Sequence, residues 1–343
     1  MNEPVKAIDL HAAYLAHKDA IDDAVRRVVN SGWYLIGKEL DGFETAFAAW
    51  AERTHCIGVA NGTDALELSL RAVGIGPGDA VATVSHTAVA TAAAIVRAGA
   101  TPVFVDVDPV RYTLCPRSLA DTLDQHRRRG GEPIKAVIPV HLYGQPADMP
   151  AIMDLARAND LAVIEDCAQA HGATLNGRRV GTFGDLAAYS FYPTKNLGAM
   201  GDAGAVTTAD DELARRVRCL REYGWEKRYI SSIPGGINSR TDELQAAVLS
   251  VKLAHLDADN EQRRALAARY DAALGGHGGI ALPTVAPGAS HVYHLYVVQI
   301  DDRDRVRDAL GKTHAVGTGI HYPAPIHRQP AYERYVQPWM DLS

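Results

Sequence analysis

Leu161–Gly172 reads LAVIEDCAQAHG. Leu161 to Ile164 is a short apolar run behind the turn-forming Ala158-Asn159-Asp160, the pattern of a buried parallel strand. Glu165 and Asp166 then fall at its carboxyl end, where open α/β sheets place their ligands. An acid there can also cap a helix, so alone it decides little. Its meaning comes from a second stretch, Asp185–Thr208, DLAAYSFYPTKNLGAMGDAGAVTT. Lys195 stands isolated there between Pro193-Thr194 and Asn196-Leu197-Gly198, before a β-like run from Ala203 to Thr208. Among small, apolar and hydroxyl residues a lysine is partly desolvated, which lowers its pKa and leaves a nucleophilic amine. A lone lysine in a turn is ordinarily a surface residue. Paired with a strand-end carboxylate, it meets the two needs of pyridoxal phosphate: a Schiff-base amine and an anion on the pyridine nitrogen.

A third stretch completes the set. Val59–Leu70, VANGTDALELSL, passes from a strand end through Asn61-Gly62-Thr63-Asp64 into a helix carrying Ala65, Leu66, Leu68 and Leu70. Free amides at such a helix start bind anions. An N-cap at Thr63 or Asp64 is expected and is compatible with phosphate binding.

Outward from these stretches, helical and strand patterns alternate. Asp9 to Trp50 is helical, with Ile21, Val25, Val28 and Val29 at helical spacing and a second helix opening at Gly37. Strands are expected at 57–60, 81–84, 101–107 and 136–140, and helices at 63–73, 87–98 and 118–127. This alternation means an α/β fold with a mostly parallel, doubly wound sheet. A charged helix follows over 210–223, a loop over 224–236, and a long helix capped by Thr241-Asp242-Glu243 that runs to Leu253. Another helix spans 257–274. The domain boundary is placed in this helical passage, giving a large domain over 1–250 and a smaller α/β domain over 251–343. Gly275–Gly279 is a flexible connector into a strand at 294–300, a helix at 302–310 and a short strand at 319–322. The small domain is expected to lack a C-terminal piece.

Composition narrows the function. The 343 residues, 47% hydrophobic and 22% charged, suit a soluble globule with a large core. A net charge of −6 leaves no basic footprint for nucleic acid. The densest basic run, Arg127-Arg128-Arg129, reads as the end of a solvated helix before Gly130-Gly131. Four cysteines without a CxxC pair suggest reduced thiols in a cytoplasmic protein. Met1–Leu10 has no signal-peptide pattern, and no uncharged run is long enough for a membrane span. The 14 histidines show no metal-binding spacing, so no metal is expected. GIGPGD at 74–79 lacks the third glycine of a dinucleotide fingerprint, which argues against an NAD-dependent oxidoreductase.

Read together, the segments NGTDALELSL, VSHTAVATAAAI, PVHLYGQPADM, VIEDCAQAHGA, FGDLAAYSFYPTKNLGAMGDAGAV and LREYGWEKRYISSIPGGINSRTDELQAAVLSVKLAHLD closely resemble the DegT/StrS-type aminotransferases. The resemblance covers nearly the whole chain in the family's order and implies the fold of the fold type I pyridoxal-phosphate transferases. EDxAQAxG followed by SFxPTKNLG is its most specific part. GTGIHYPAPIHRQPAY at 317–332 looks most like members acting on nucleotide-linked keto-sugars.

The resemblance also implies site roles. Lys195 would hold the cofactor and shuttle the proton, with Asp166 on the ring nitrogen. Gln169 would bond the ring hydroxyl, while Gly62, Thr63 and Ser190 would hold the phosphate. Asn238 would reach the phosphate in a neighbouring subunit, making the protein a homodimer with a shared active site. His86 is a candidate for stacking on the ring, because Ala88 stands where the family usually carries an aromatic residue. Arg228 and Tyr229 lie in a loop that could close over a pyrophosphate, and Arg240 is a candidate to brace that loop through an ion pair. Tyr192, His321 and Tyr322 are the remaining substrate candidates; His141 and Tyr143 could line the pocket. The implied reaction is a ping-pong transamination from L-glutamate, yielding 2-oxoglutarate and pyridoxamine phosphate, onto a dTDP-3-keto-6-deoxyhexose. Alternatives are a cyclitol-ketone or aminobenzoate-forming relative, or a non-catalytic regulatory member.

Overall fold

The computed structural model describes residues 4–336 and Trp339. Its main sheet has seven strands: β1 (His55–Val59), β2 (Ala80–Val84), β3 (Thr101–Val105), β4 (Ile134–Ile138), β5 (Ala162–Asp166), and the strands Leu186–Ser190 and Gly204–Thr208. In space β3, β2, β4, β5 and Leu186–Ser190 lie side by side and parallel. Gly204–Thr208 is the one antiparallel member, inserted between Leu186–Ser190 and β1. The sheet is therefore mostly parallel, as the alternating pattern implies.

Strand side chains alternate between two faces, and each face is roofed by helices. Leu186, Ala188, Val206, Ile57 and Ile164 pack with Leu66, Leu70, Ile95 and Val217 of the helices Gly62–Ala72, Ala90–Arg97 and Asp211–Leu220. Ala187, Tyr189 and Ala205 point the other way, onto Phe43 and Phe47 of Lys38–Trp50 and Leu249 of Glu243–Leu253. On that same face Ala82, Val137 and Val163 meet Leu119, Leu123 and Ile152 from the helices Pro116–Arg128 and Met149–Ala158. Both faces are thus covered, which is why the strands read as apolar runs.

Several local expectations are corrected. In the first long helix, Lys18–Ser31, the buried face is Ile21, Ala24 and Val28, while Val29 is exposed. The small alanine lets this helix approach Ala247 of Glu243–Leu253. Asn61, not Thr63 or Asp64, caps Gly62–Ala72: its side chain accepts the Asp64 amide. No Thr241-Asp242-Glu243 side chain caps Glu243–Leu253; the Thr241 hydroxyl donates to the Val59 carbonyl. The helix Met149–Ala158 had no counterpart in the sequence reading. The 224–236 loop contains a two-stranded ribbon, Trp225–Lys227 with Ile230–Ser231. Of 294–300 only Gln299–Ile300 is a strand, paired with Ile280–Ala281, and 319–322 forms no strand. These short segments pair through residues distant in sequence, so local periodicity carries little of their signal.

Glu243 ties the N-terminal helices to this framework. Only 2% exposed, its carboxylate accepts the amides of Gly37 (2.9 Å), Glu39 (2.9 Å) and Leu40 (3.0 Å), which start Lys38–Trp50. A carboxylate here satisfies orphan donors and meets the positive end of the helix dipole. Glu243→Ala is expected to cost roughly 3 kcal/mol of stability, read as a lower urea midpoint with unchanged slope. An unchanged midpoint would show the helix start to be satisfied by water.

Candidate active site

The carboxyl end of β5 carries two acids that face opposite ways. Glu165 is fully buried and accepts four hydrogen bonds: His141 Nε2 (3.0 Å) and the amides of Gly181 (2.8 Å), Phe183 (2.7 Å) and Gly184 (2.7 Å). Burial pushes its pKa up, but the His141 ring and these amides outweigh burial and hold it below the ordinary value. His141, Glu165 and Cys167 offer ligand atoms within 4.8 Å of one another. Their donors and acceptors are spent internally: His141 Nδ1 takes the Ala147 amide at 3.0 Å. The trio works as a structural tie.

Asp166, 5% exposed, accepts from the Thr91 hydroxyl at 3.0 Å and the Ala168 amide at 3.1 Å. Burial raises its pKa, against the pull of those bonds and of Lys195. Lys195 sits on the turn after Leu186–Ser190, its amide donating to the Tyr192 carbonyl at 2.8 Å. Burial lowers its pKa from 10.5 to about 8, although the Asp166 charge acts the other way. Asp166 forms no ion pair among the described residues, and the hold of the Lys195 amine on its proton is weakened.

Beside this pair lies a cradle of small residues. Asn61 engages the amides of Asp64 (2.9 Å, side chain) and Ala65 (3.0 Å, carbonyl). The amides of Gly62 and Thr63 have no partner among the described residues. The backbone at Gly62 presses on Ser190, so an added Cβ would lie 2.6 Å from Ser190 Cβ; one at Gly204 would lie 2.5 Å from the Asn61 carbonyl. The Asp64 carboxylate is turned away, held by Arg97 (3.0 Å) and the Ser239 hydroxyl (2.8 Å), so its charge does not oppose an anion at the helix start.

On the opposite flank Gln169 accepts the Tyr143 amide at 2.7 Å and donates to the Tyr322 hydroxyl at 2.9 Å. Its amide keeps a second hydrogen for a ligand. His86 shares a 2.8 Å hydrogen bond with the Tyr143 hydroxyl, which in turn donates to the His321 carbonyl. Burial lowers the His86 pKa, favouring a neutral ring. Ala88 lies in a cavity of about 500 Å³ with Thr87, Val89, Tyr322 and Pro323 among its walls. The cavity beside Ala88 is therefore bordered by the Tyr322 segment.

The fold gathers Lys195, Asp166, Gly62, Thr63, Ser190, Gln169, His86, His321 and Tyr322 around one edge of the sheet. Arg228, Tyr229 and Asn238 are exposed and, among the described residues, make no hydrogen bond or ring contact with that group. Tyr192 is exposed too, but its amide donates to Ser190 Oγ at 3.3 Å and its carbonyl accepts the Lys195 amide. Arg228 instead lies over the Tyr229 ring at 5.0 Å. Arg240 forms no ion pair among the described residues. Sequence reasoning missed Thr91 and the capping role of Asn61. Thr91 looked like one more small residue of a helix, whereas Asn61, an asparagine closing a strand before glycine, had a readable capping signal.

Comparison with known proteins identifies the family and the fold. The profile of the DegT/DnrJ/EryC1/StrS aminotransferase family matches residues 16–340. A dTDP-3-amino-3,4,6-trideoxy-alpha-D-glucose transaminase of Streptomyces venezuelae is 48% identical over 328 residues, covering 96% of this chain and 84% of that protein. The crystal structure of S. venezuelae DesV in complex with a ketimine intermediate superimposes with a TM-score of 0.93 at 47% identity, over 98% of this chain and 89% of that one. NtdA of Bacillus subtilis with bound cofactor PMP gives a TM-score of 0.87 at 30% identity, over 97% and 76%. Among the described residues no helix is long and apolar enough to cross a membrane. The fold is that of the fold type I aminotransferases, and the chain belongs to the DegT/DnrJ/EryC1/StrS aminotransferase family.

Proposed function

We propose that this aminotransferase holds pyridoxal phosphate through Lys195 and transfers an amino group from L-glutamate to a nucleotide-linked keto-sugar of the dTDP-3-keto-6-deoxyhexose kind. The observation that carries the reading is the opposed pair: a buried Asp166 with no ion pair among the described residues and a Lys195 amine lowered to about 8. A protonated ring nitrogen would answer the first and a bond to the amine the second, so the residues fit the group. When bound, the cofactor supplies an electron sink for the substrate Cα–H bond and carries the amino group between two half-reactions.

The chain's own residues do the rest. Lys195, once released, takes the Cα proton and returns it on the other side of the transfer. Asp166 is kept in place by Thr91 and Ala168 and supplies the anion. The Gly62 and Thr63 amides and the Ser190 hydroxyl would hold the phosphate, and the free Gln169 hydrogen would meet the ring hydroxyl. His86 would pack against the ring. Tyr192, His321 and Tyr322 would meet the sugar, and Arg228 and Tyr229 the pyrophosphate. Likeness to a dTDP-aminosugar transaminase supports the acceptor class.

The reading includes a homodimer in which Asn238 reaches the partner's site. Exposed Trp33, Tyr34, Leu35, Met200 and Tyr229 support a buried subunit interface. Free cysteines 56, 115, 167 and 219 support a cytoplasmic setting. The large unit is taken as 1–250 and the smaller as 251–343. A purely regulatory role fits poorly with a complete Lys195, Asp166, Gln169 and Ser190 set.

The purified protein is expected to be yellow, to be fixed by borohydride on the Lys195 peptide, and to be bleached by L-glutamate. A protein colourless after supply of both cofactor forms would overturn the reading. Lys195→Ala should bind pyridoxamine phosphate yet turn over nothing, as measured by calorimetry and coupled assay. Asp166→Asn keeps the shape and loses the anion, so turnover should fall by about a hundredfold or more. Because the Lys195 amine is protonated below about pH 8, cofactor uptake by the stripped protein should quicken about tenfold per pH unit up to there, then level off. A rate still climbing toward pH 10.5 would mark an ordinary lysine.

A further inference from the structure

One buried amide, far along the chain, bridges the two segments that carry Asp166 and Lys195. Asn260 lies on the helix Leu256–Leu274 and is 2% exposed. Its Oδ1 accepts from Asn196 Nδ2 at 2.8 Å, and its Nδ2 donates to the His171 carbonyl at 2.8 Å. Asn196 directly follows Lys195. His171 lies two residues past Gln169, on the segment that begins at Asp166. The second hydrogen of Asn196 goes to the Val292 carbonyl at 3.0 Å.

The approach is built into the backbone. Gly172 has φ +88, and a Cβ there would lie 2.8 Å from Asn260 Nδ2. Only Leu256, Asn260 and Ala267 are buried on this helix, so a polar side chain occupies one of its few inward positions. The tie also lacks a substitute close by. Asn196 Oδ1 and both His171 ring nitrogens are buried without partners among the described residues. Other anchors hold the ends of the lysine loop: Lys252 Nζ on the Gly198 carbonyl at 2.6 Å and the Lys195 amide on the Tyr192 carbonyl at 2.8 Å. Asn260 grips the residue next to the lysine.

We propose that Asn260 is a positioning residue that sets the spacing between the Asp166 segment and the Lys195 loop, so that amine and carboxylate face one site. This rests on the reading of Lys195 as the cofactor-bearing amine. Removing the amide leaves the His171 carbonyl unpaired and strips Asn196 of one of its two hydrogen bonds, leaving only the one to Val292, so the lysine loop must shift or admit water to satisfy them. Either change relieves the desolvation of the amine.

The test uses the full-length, cofactor-stripped protein with Asn260→Leu, Asn196→Ser, both changes together, and Ala267→Gly as a control on the same helix. Lys195 modification by trinitrobenzenesulfonate is followed against pH by peptide mass spectrometry. The parent midpoint near 8 is expected to rise by at least half a pH unit in both asparagine variants. The double variant should go no further than Asn260→Leu, and Ala267→Gly should keep the parent midpoint despite a lower melting temperature. Unchanged midpoints in Asn260→Leu and Asn196→Ser, in proteins that fold, would overturn the proposal. Should Asn260→Leu fail to fold, Asn196→Ser decides alone, because it cuts the same link from the half-buried loop side. A parent protein in which borohydride fixes no pyridoxal phosphate on Lys195 would instead sink the reading of the lysine itself.

Discussion

Glu165 carries a negative charge with no access to water, and the way that charge is satisfied shapes the edge of the sheet. One histidine from the segment after β4 and three amides from the 181–184 turn converge on it. An unpaired carboxylate in that position would be costly. Once paired, it clamps the exit of β4 and β5 to the turn that launches Leu186–Ser190. That strand in turn delivers Ser190 and Lys195. The placement of the chemistry is thus a by-product of neutralising a structural charge one residue away from Asp166.

Burial weakens the usual charge preference of both Asp166 and Lys195. In water the acid would be fully ionised and the amine fully protonated at neutral pH; burial pushes each toward its neutral form. Neither is fully reconciled by protein groups, in contrast to Glu165. Two adjacent acids on one strand therefore have different surroundings: Glu165 accepts four hydrogen bonds and ties the sheet edge together, whereas Asp166 accepts only two, from Thr91 and Ala168.

Much of this was legible in the sequence. The apolar run before Glu165-Asp166 reads as a buried strand because a parallel sheet is covered on both faces. Lys195 stands out because its loop is poor in other charges. Gly62 and Ser190 are local enough to place at strand ends. Illegible were the features that depend on distant partners. Asn260 looks like any polar residue on a charged helix, and only tertiary contact shows it facing inward. Thr91 is one hydroxyl among alanines until β5 brings Asp166 beneath it. Glu243 seems a helix cap by its neighbours, yet it serves another helix altogether. The short strand Gln299–Ile300 exists only through Ile280–Ala281.

The antiparallel strand Gly204–Thr208 separates β1 from Leu186–Ser190 in the sheet, yet Gly62 still presses on Ser190 across it. During synthesis, β1 therefore has no neighbour in its own sheet until residue 208 has been made and inserted. The helix start at Gly62 waits through about 130 residues of chain for Ser190, the surface it packs against. A small anionic ligand at that helix start cannot help the early chain to fold, because Ser190, the residue Gly62 presses on, is made about 130 residues later. Its stabilising effect is confined to a chain that has already closed, where it acts by mass action to slow reopening.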